Sequence, residues 1–173
     1  MRKLNYILLV FLILLVGVSS YFIFFNKSGE SLDYTYYKQT YDVLVDEDTS
    51  FTSFEDLNIS AYKAKNVNNK TSVVVTFDGA KYDMFDLDIL VIDKVELSSP
   101  INILYPSVGL LDENHLNLVA SSEKVDESSH LGFNVGFITP NDTENLLVYF
   151  AYSNAKSERI TKCFEVKVDA TTR

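Results

Sequence analysis

Two hydrophobic patterns divide the chain. From Leu4 to Phe25 the sequence reads LNYILLVFLILLVGVSSYFIFF, 22 residues without a charge. Beyond it, apolar and polar residues alternate in short runs. Val73, Val75 and Phe77 alternate with Ser72, Val74 and Thr76; Leu131, Phe133, Val135 and Phe137 alternate with Gly132, Asn134, Gly136 and Ile138; Phe164, Val166 and Val168 alternate with Glu165 and Lys167. A period of two places successive side chains on opposite faces of a strand, so each run predicts a strand with one buried face. Leu87–Leu97 and Leu146–Tyr152 are apolar on both faces for part of their length, which predicts central strands.

The strands expected are 41–45, 57–64, 72–77, 87–97, 101–105, 115–120, 131–138, 145–152 and 160–168. Turn signals separate them: Asn66–Lys70, Asp78-Gly79, Ser98-Ser99-Pro100, Tyr105-Pro106 and Thr139–Asp142. No long segment after Phe25 shows a 3.6-residue period, with 108–118 ambiguous. Short strands at this spacing predict an all-β antiparallel sandwich or barrel over residues 41–173.

As a helix, Leu4–Phe25 would be about 33 Å long, enough for a bilayer core of about 30 Å. Arg2 and Lys3 precede it, which orients the amino terminus to the cytoplasm and the remainder outside. The segment therefore predicts an uncleaved signal-anchor, a single-pass membrane helix over 1–25. The alternative is a secreted protein cleaved near Ser20, after the small residues Val18-Ser19-Ser20. Cleavage would leave Tyr21–Phe25 exposed at a new amino terminus, which favours the anchor. Residues 26–40 read as a tether of at most about 50 Å, with clustered tyrosines at its far end. Tyr34, Tyr36 and Tyr37 are candidate partner-binding residues there; the alternative is a first strand or packing against the domain.

Composition narrows the function. The chain is 47% apolar and 23% charged, unlike a disordered polypeptide. Its net charge is −9. Both basic residues of 1–25 stand outside the domain, leaving 13 Lys+Arg against 24 Asp+Glu in 26–173, a net of −11. Such a domain is repelled by nucleic acid and anionic lipid, so no nucleic-acid partner is expected. One Cys permits no intramolecular disulfide.

Gly132-Phe133-Asn134-Val135-Gly136-Phe137-Ile138-Thr139-Pro140, followed by Leu146-Leu147-Val148-Tyr149-Phe150, resembles a late strand pair in small Ig-like extracytoplasmic domains of Gram-positive surface proteins. The resemblance covers about 25 residues. It implies an Ig-like β-sandwich and a surface location, and carries no activity. The inter-sheet Cys pair and the Trp of true immunoglobulin domains are missing.

Three kinds of chemistry have candidates. His115, near Asp112, and His130 are the only histidines, and no nucleophile-elbow motif accompanies them. Cys163 has no histidine near it in sequence to activate it; a disulfide-linked homodimer through it is the other use for the thiol. Asp78, Asp83, Asp86 and Asp88 flank an Asp-Gly turn and are calcium candidates, as is the Asp46-Glu47-Asp48 group with Glu55 and Asp56. Their spacing matches no EF-hand loop, and strict alternation puts Asp86 and Asp88 on one strand face, as solvated acids often are. The expected function is a membrane-anchored, non-enzymatic binding or assembly module of a bacterial cell surface, with no cofactor and an unidentified protein or cell-wall partner. The alternatives are a secreted or anchored hydrolase and a calcium-dependent surface module.

Overall fold

The computed structural model describes residues 32–64, 71–94, 105–111, 115–139 and 143–169. It divides into two compact units, Met1–Thr35 and Tyr36–Arg173. Of the first, only Leu32–Thr35 is described, the opening residues of a helix. The expected membrane span at 4–25 lies outside the described residues, as does nearly all of the expected strand at 101–105. Among the described residues no helix is long and apolar enough to cross a membrane.

The second unit is mostly β-structure. After helix α1 (Leu32–Val45) come β1 (Asn58–Ala64), β2 (Thr71–Asp78), β3 (Met84–Asp93), β4 (Ser107–Val108), β5 (Leu116–Leu118), β6 (Ser129–His130), β7 (Gly132–Thr139), β8 (Asn145–Ser153) and β9 (Arg159–Asp169). The sheet runs β6-β5-β3-β8-β9-β1-β2-β7, with β4 added to β3. Seven strands (β1, β2, β3, β5, β7, β8 and β9) fall where periodicity and turn residues put them, within a few residues. The expectation of purely antiparallel pairing is corrected: β1 pairs with β9, and β5 with β6, in parallel. The segments of the Ig-like resemblance, β7 and β8, are not neighbours either. β7 pairs with β2, whereas β8 lies between β3 and β9.

The β1-β2-β7 part of the sheet faces the β3-β8-β9 part across the larger core. Val73, Val75 and Phe77 of β2 meet Leu87, Ile89 and Val91 of β3, Val148 and Phe150 of β8, and Phe164 and Val166 of β9. Phe77 stacks on Phe150 at 5.9 Å between centroids. Strand β8 is buried on both faces from Leu146 to Tyr152, which is why its sequence lacks alternation. Leu147, Tyr149 and Ala151 point to the other side, into a second cluster with Leu90, Ile92 and Cys163.

Helix α1 covers that second face through Tyr37, Tyr41 and Leu44. The expected strand at 41–45 and the later half of the expected tether are therefore helical. The buried residues recur at i, i+4 and i+7, a helical stripe. The stripe is hidden in sequence because two of its members are tyrosines in a run of Tyr, Thr and Val, residues that favour strands. Thr49 ends the helix: its Oγ1 donates to the Val43 carbonyl (2.5 Å) and its N–H to the Asp46 carbonyl (3.2 Å). Asp46 Oδ1 accepts the Asp48 N–H at 2.9 Å. The Asp46-Glu47-Asp48 group is thus the turn that stops the helix.

Tyr37 is only 1% exposed, and its hydroxyl accepts the Tyr105 backbone N–H at 2.7 Å. Tyr37→Phe keeps the ring and removes this acceptor. It should lower unfolding stability by about 2 kcal/mol, measured by urea denaturation, with secondary structure unchanged by circular dichroism; a loss below a few tenths of a kcal/mol would refute the pairing.

Candidate functional site

Two features of the second unit combine unusual geometry with chemistry. The first is an irregularity in β3. Phe85 pairs with Ser153 of β8, but the next pair is Asp88 with Ala151. Three steps on β3 oppose two on β8, so β3 carries one extra residue, a β-bulge. Asp86 takes φ +51° there, and its N–H donates to Asn117 Oδ1 at 3.0 Å.

The bulge overturns the expected alternation. Met84 and Leu87 share the main core, Asp86 is exposed, and Asp88 turns to the helix side with Leu90 and Ile92. Asp88 is buried, with 5% of its surface exposed. Arg159, at the start of β9, donates from Nη2 to Asp88 Oδ2 and from Nη1 to the Asp86 carbonyl. The Tyr36 hydroxyl donates to Asp88 Oδ2 (3.2 Å) and lies 3.5 Å from the Tyr149 hydroxyl. Among the described residues Asp88 Oδ1 has no hydrogen-bond partner, and His115 Nδ1 lies 3.6 Å from it.

Gly109 fits against this acid with φ +73°. A Cβ there would collide with the Leu87 carbonyl and Asp88 Oδ1, so only glycine lets β4 approach. Burial pushes the Asp88 carboxyl above its ordinary range, with Arg159, Tyr36 and His115 pulling the other way. Burial and the Tyr149 hydroxyl likewise push the Tyr36 phenol up.

The second feature is a wedge between β1 and β9. Among the described residues the two strands pair at Ala61↔Val168 and Tyr62↔Asp169 alone and part on the amino-terminal side of these pairs. The opening has a volume of about 560 Å³ and is lined by Phe54, Leu57, Ile59, Phe164 and Val166 among apolar residues, with Ser60, Glu165 and Lys167 beside them. Its backbone polarity follows from one bond. The Cys163 carbonyl accepts the Thr52 N–H at 3.0 Å on the side away from β8. Alternation then turns the backbone groups of Glu165 and Lys167 the same way, toward β1. Glu165 has no ladder partner on that side among the described residues.

The candidates named from sequence scatter. Tyr36 joins the Asp88 cluster, Tyr37 is core, and Tyr34 lies in the first turn of α1 within the other unit. His115 is 44% exposed and reaches Asp88 across strands; Asp112 lies outside the described residues. His130 sits in β6, where its carbonyl accepts the Val119 N–H at 2.9 Å. Cys163 is buried in the helix-covered cluster, which raises its thiol pKa.

The four calcium candidates are dispersed too. Asp83 pairs with Lys124 at 2.5 Å and Asp88 with Arg159, while Asp78 closes β2 and Asp86 sits in the bulge. Among the described residues no three His, Cys, Asp or Glu side chains gather as a metal-ligand set. Sequence reading missed Arg159 and Gly109. Neither carries a local motif, because both are defined by what a distant bulge presents to them, for Arg159 one 71 to 73 positions away. No protein-family model, no curated protein and no solved structure matches the chain.

The raised Asp88 pKa fixes a pH dependence. A carboxyl whose folded value lies above the unfolded one, near 3.8, favours folding most when protonated; that advantage is lost as pH rises through the folded value. The stability of the native chain minus that of Asp88→Asn should therefore fall as pH rises above about 3.8. Arg159→Met leaves the ionised acid without its cation. It should cost about 2 kcal/mol at neutral pH and clearly less near pH 4, by denaturant melts at both values; a pH-independent cost would contradict the cluster.

Proposed function

We propose that the protein is a membrane-anchored, extracytoplasmic binding or assembly module of a bacterial cell surface, and that it acts without catalysis. The uncharged run Leu4–Phe25 supports the anchor, and Arg2 and Lys3 support the outward orientation of the domain. The likeness of Gly132–Pro140 and Leu146–Phe150 to small Ig-like surface domains supports the location. Anchoring raises the local concentration of the domain near membrane or wall partners, so that a modest contact suffices.

The wedge between β1 and β9 is the observation that carries the binding reading. An extended segment entering it would find the outward backbone groups of Glu165 on one side and apolar Phe54, Leu57 and Ile59 beside them. Strand addition uses such a combination: main-chain hydrogen bonds supply affinity and alternate side-chain positions supply selectivity. A second reading, a hydrolase, draws on one contact, His115 Nδ1 at 3.6 Å from the buried Asp88. That is the base-and-orienter half of a catalytic arrangement. Alanine at His115, His130 and Cys163 separates the two, since a binding module keeps its function in all three.

Two measurements test the leading proposal. The full chain should sediment with membranes and resist carbonate extraction, with the domain open to protease added from outside; removing residues 4–25 should release it. Glu165→Pro deletes an N–H that faces the wedge and leaves the β8 ladder intact. A photo-crosslinker at Ser60 should form an adduct in the native chain and in Glu165→Ala, and lose it in Glu165→Pro. Recovery of the full chain in the soluble fraction, or an adduct indifferent to the proline, would overturn the proposal.

A further inference from the structure

A second opening, sharing no lining residue with the wedge, lies where three connections meet. Its volume is about 540 Å³. The β2–β3 connection contributes Lys81, Tyr82 and Asp83, the 3-10 turn Ser122–Lys124 contributes Lys124, and the β8–β9 connection contributes Lys156. Ile160 supplies part of its apolar wall. Three lysines and one acid thus line the opening, in a domain whose residues 26–173 carry a net of −11.

The three cations differ in how far the protein neutralises them. Lys124 is held by Asp83 at 2.5 Å, and that contact together with the Ala120 N–H keeps the Asp83 carboxyl below its usual range. Lys81 is 3.8 Å from Asp56, with both side chains well exposed, so the pair is loose. Lys156 has no acidic partner among the described residues. The Tyr82 ring is 38% exposed, and its hydroxyl is fixed by the Tyr152 hydroxyl at 2.7 Å and by Asp56 at 3.3 Å. The opening therefore offers one unpaired ammonium group, Lys156, and a loosely paired one, Lys81, next to a fixed aromatic ring.

We propose that this groove binds a compact phosphate ester, its phosphate among Lys81, Lys124 and Lys156 and its organic body against Tyr82 and Ile160. Each feature of the ligand answers one of the site. Lysines act as point charges suited to phosphate, whereas carboxylate recognition favours the two-pronged arginine fork absent from this lining. The acidity of the rest of the domain repels a long polyanion, so the charge must be confined to the size of the groove. The ring and Ile160 need an apolar or ring-bearing body rather than a bare anion. The inference stands apart from the anchored-module reading, since it rests on these residues alone.

Phenyl phosphate is the probe, with inorganic phosphate and phenol as its two halves. The full chain in zwitterionic detergent is titrated and followed by amide and side-chain NMR. Phenyl phosphate should shift Tyr82, Ile160 and their neighbours saturably in the millimolar range; phosphate alone should bind more weakly, and phenol should leave these resonances in place. Lys156→Gln, which breaks no intramolecular pair, should weaken binding about fivefold with an unchanged melting temperature. The absence of a saturable shift, an equal response to phenol, or binding indifferent to Lys156→Gln would overturn the proposal. So would shifts produced by a detergent with an anionic phospholipid headgroup and not by phenyl phosphate, because the phosphate would then belong to lipid rather than to a soluble ester.

Discussion

The burial of β8 on both faces is the constraint from which the rest of the second unit follows. Seven successive residues, Leu146–Tyr152, are shielded from water, and no strand can achieve that within a single exposed layer. One face needs the β1-β2-β7 part of the sheet opposite it; the other needs α1. The two clusters are therefore not separate achievements. Leu146, Val148, Phe150 and Tyr152 belong to one, and Leu147, Tyr149 and Ala151 to the other, so losing either cover would expose half of the same strand. At roughly 25 cal/mol per Å² of apolar surface removed from water, strands of this kind dominate the energetics of a small domain.

The bulge in β3 imposes the second condition. By inserting one residue it keeps Met84 and Leu87 in a single core while turning a carboxylate toward the underside of the helix. A buried acid is costly unless it is paired and hydrogen-bonded. Arg159, Tyr36 and His115 come from β9, α1 and the approach to β5 to meet Asp88, so the cluster ties together three elements far apart in sequence. Among the described residues Asp88 Oδ1 nevertheless stays without a hydrogen bond, and burial holds the carboxyl above its ordinary range. The same arrangement that fixes the helix end thus carries a sensitivity to pH.

Charge and shape assign different work to different openings. The wedge presents backbone and apolar side chains in a strand-like arrangement and suits an extended chain. The lysine-lined groove presents point charges beside a ring and suits a small anion. The lysine-lined groove is a local exception in a domain whose residues 26–173 carry a net charge of −11. The two openings share no lining residue, so occupancy of one leaves the walls of the other untouched.

The strands were largely legible in the sequence because they obey a local rule. Alternation in β2, β7 and β9 records one buried face, and its absence in β8 records two; Asp78-Gly79 marked a real turn. Helix α1 was not legible, since Tyr37 and Tyr41 are strand-favouring residues whose helical spacing acquires meaning only when β8 lies beneath them. The expected sharing of one face by Asp86 and Asp88 failed for a similar reason: a single inserted residue reverses the parity of everything after it, and nothing local announces the insertion. The parallel contact of β1 with β9, the wedge beside it and the convergence of three lysines are products of chain crossing. Sequence determines which residues prefer water and with what period. Which distant segments meet is decided by the burial of both faces of one strand, a condition met only when the whole domain is assembled.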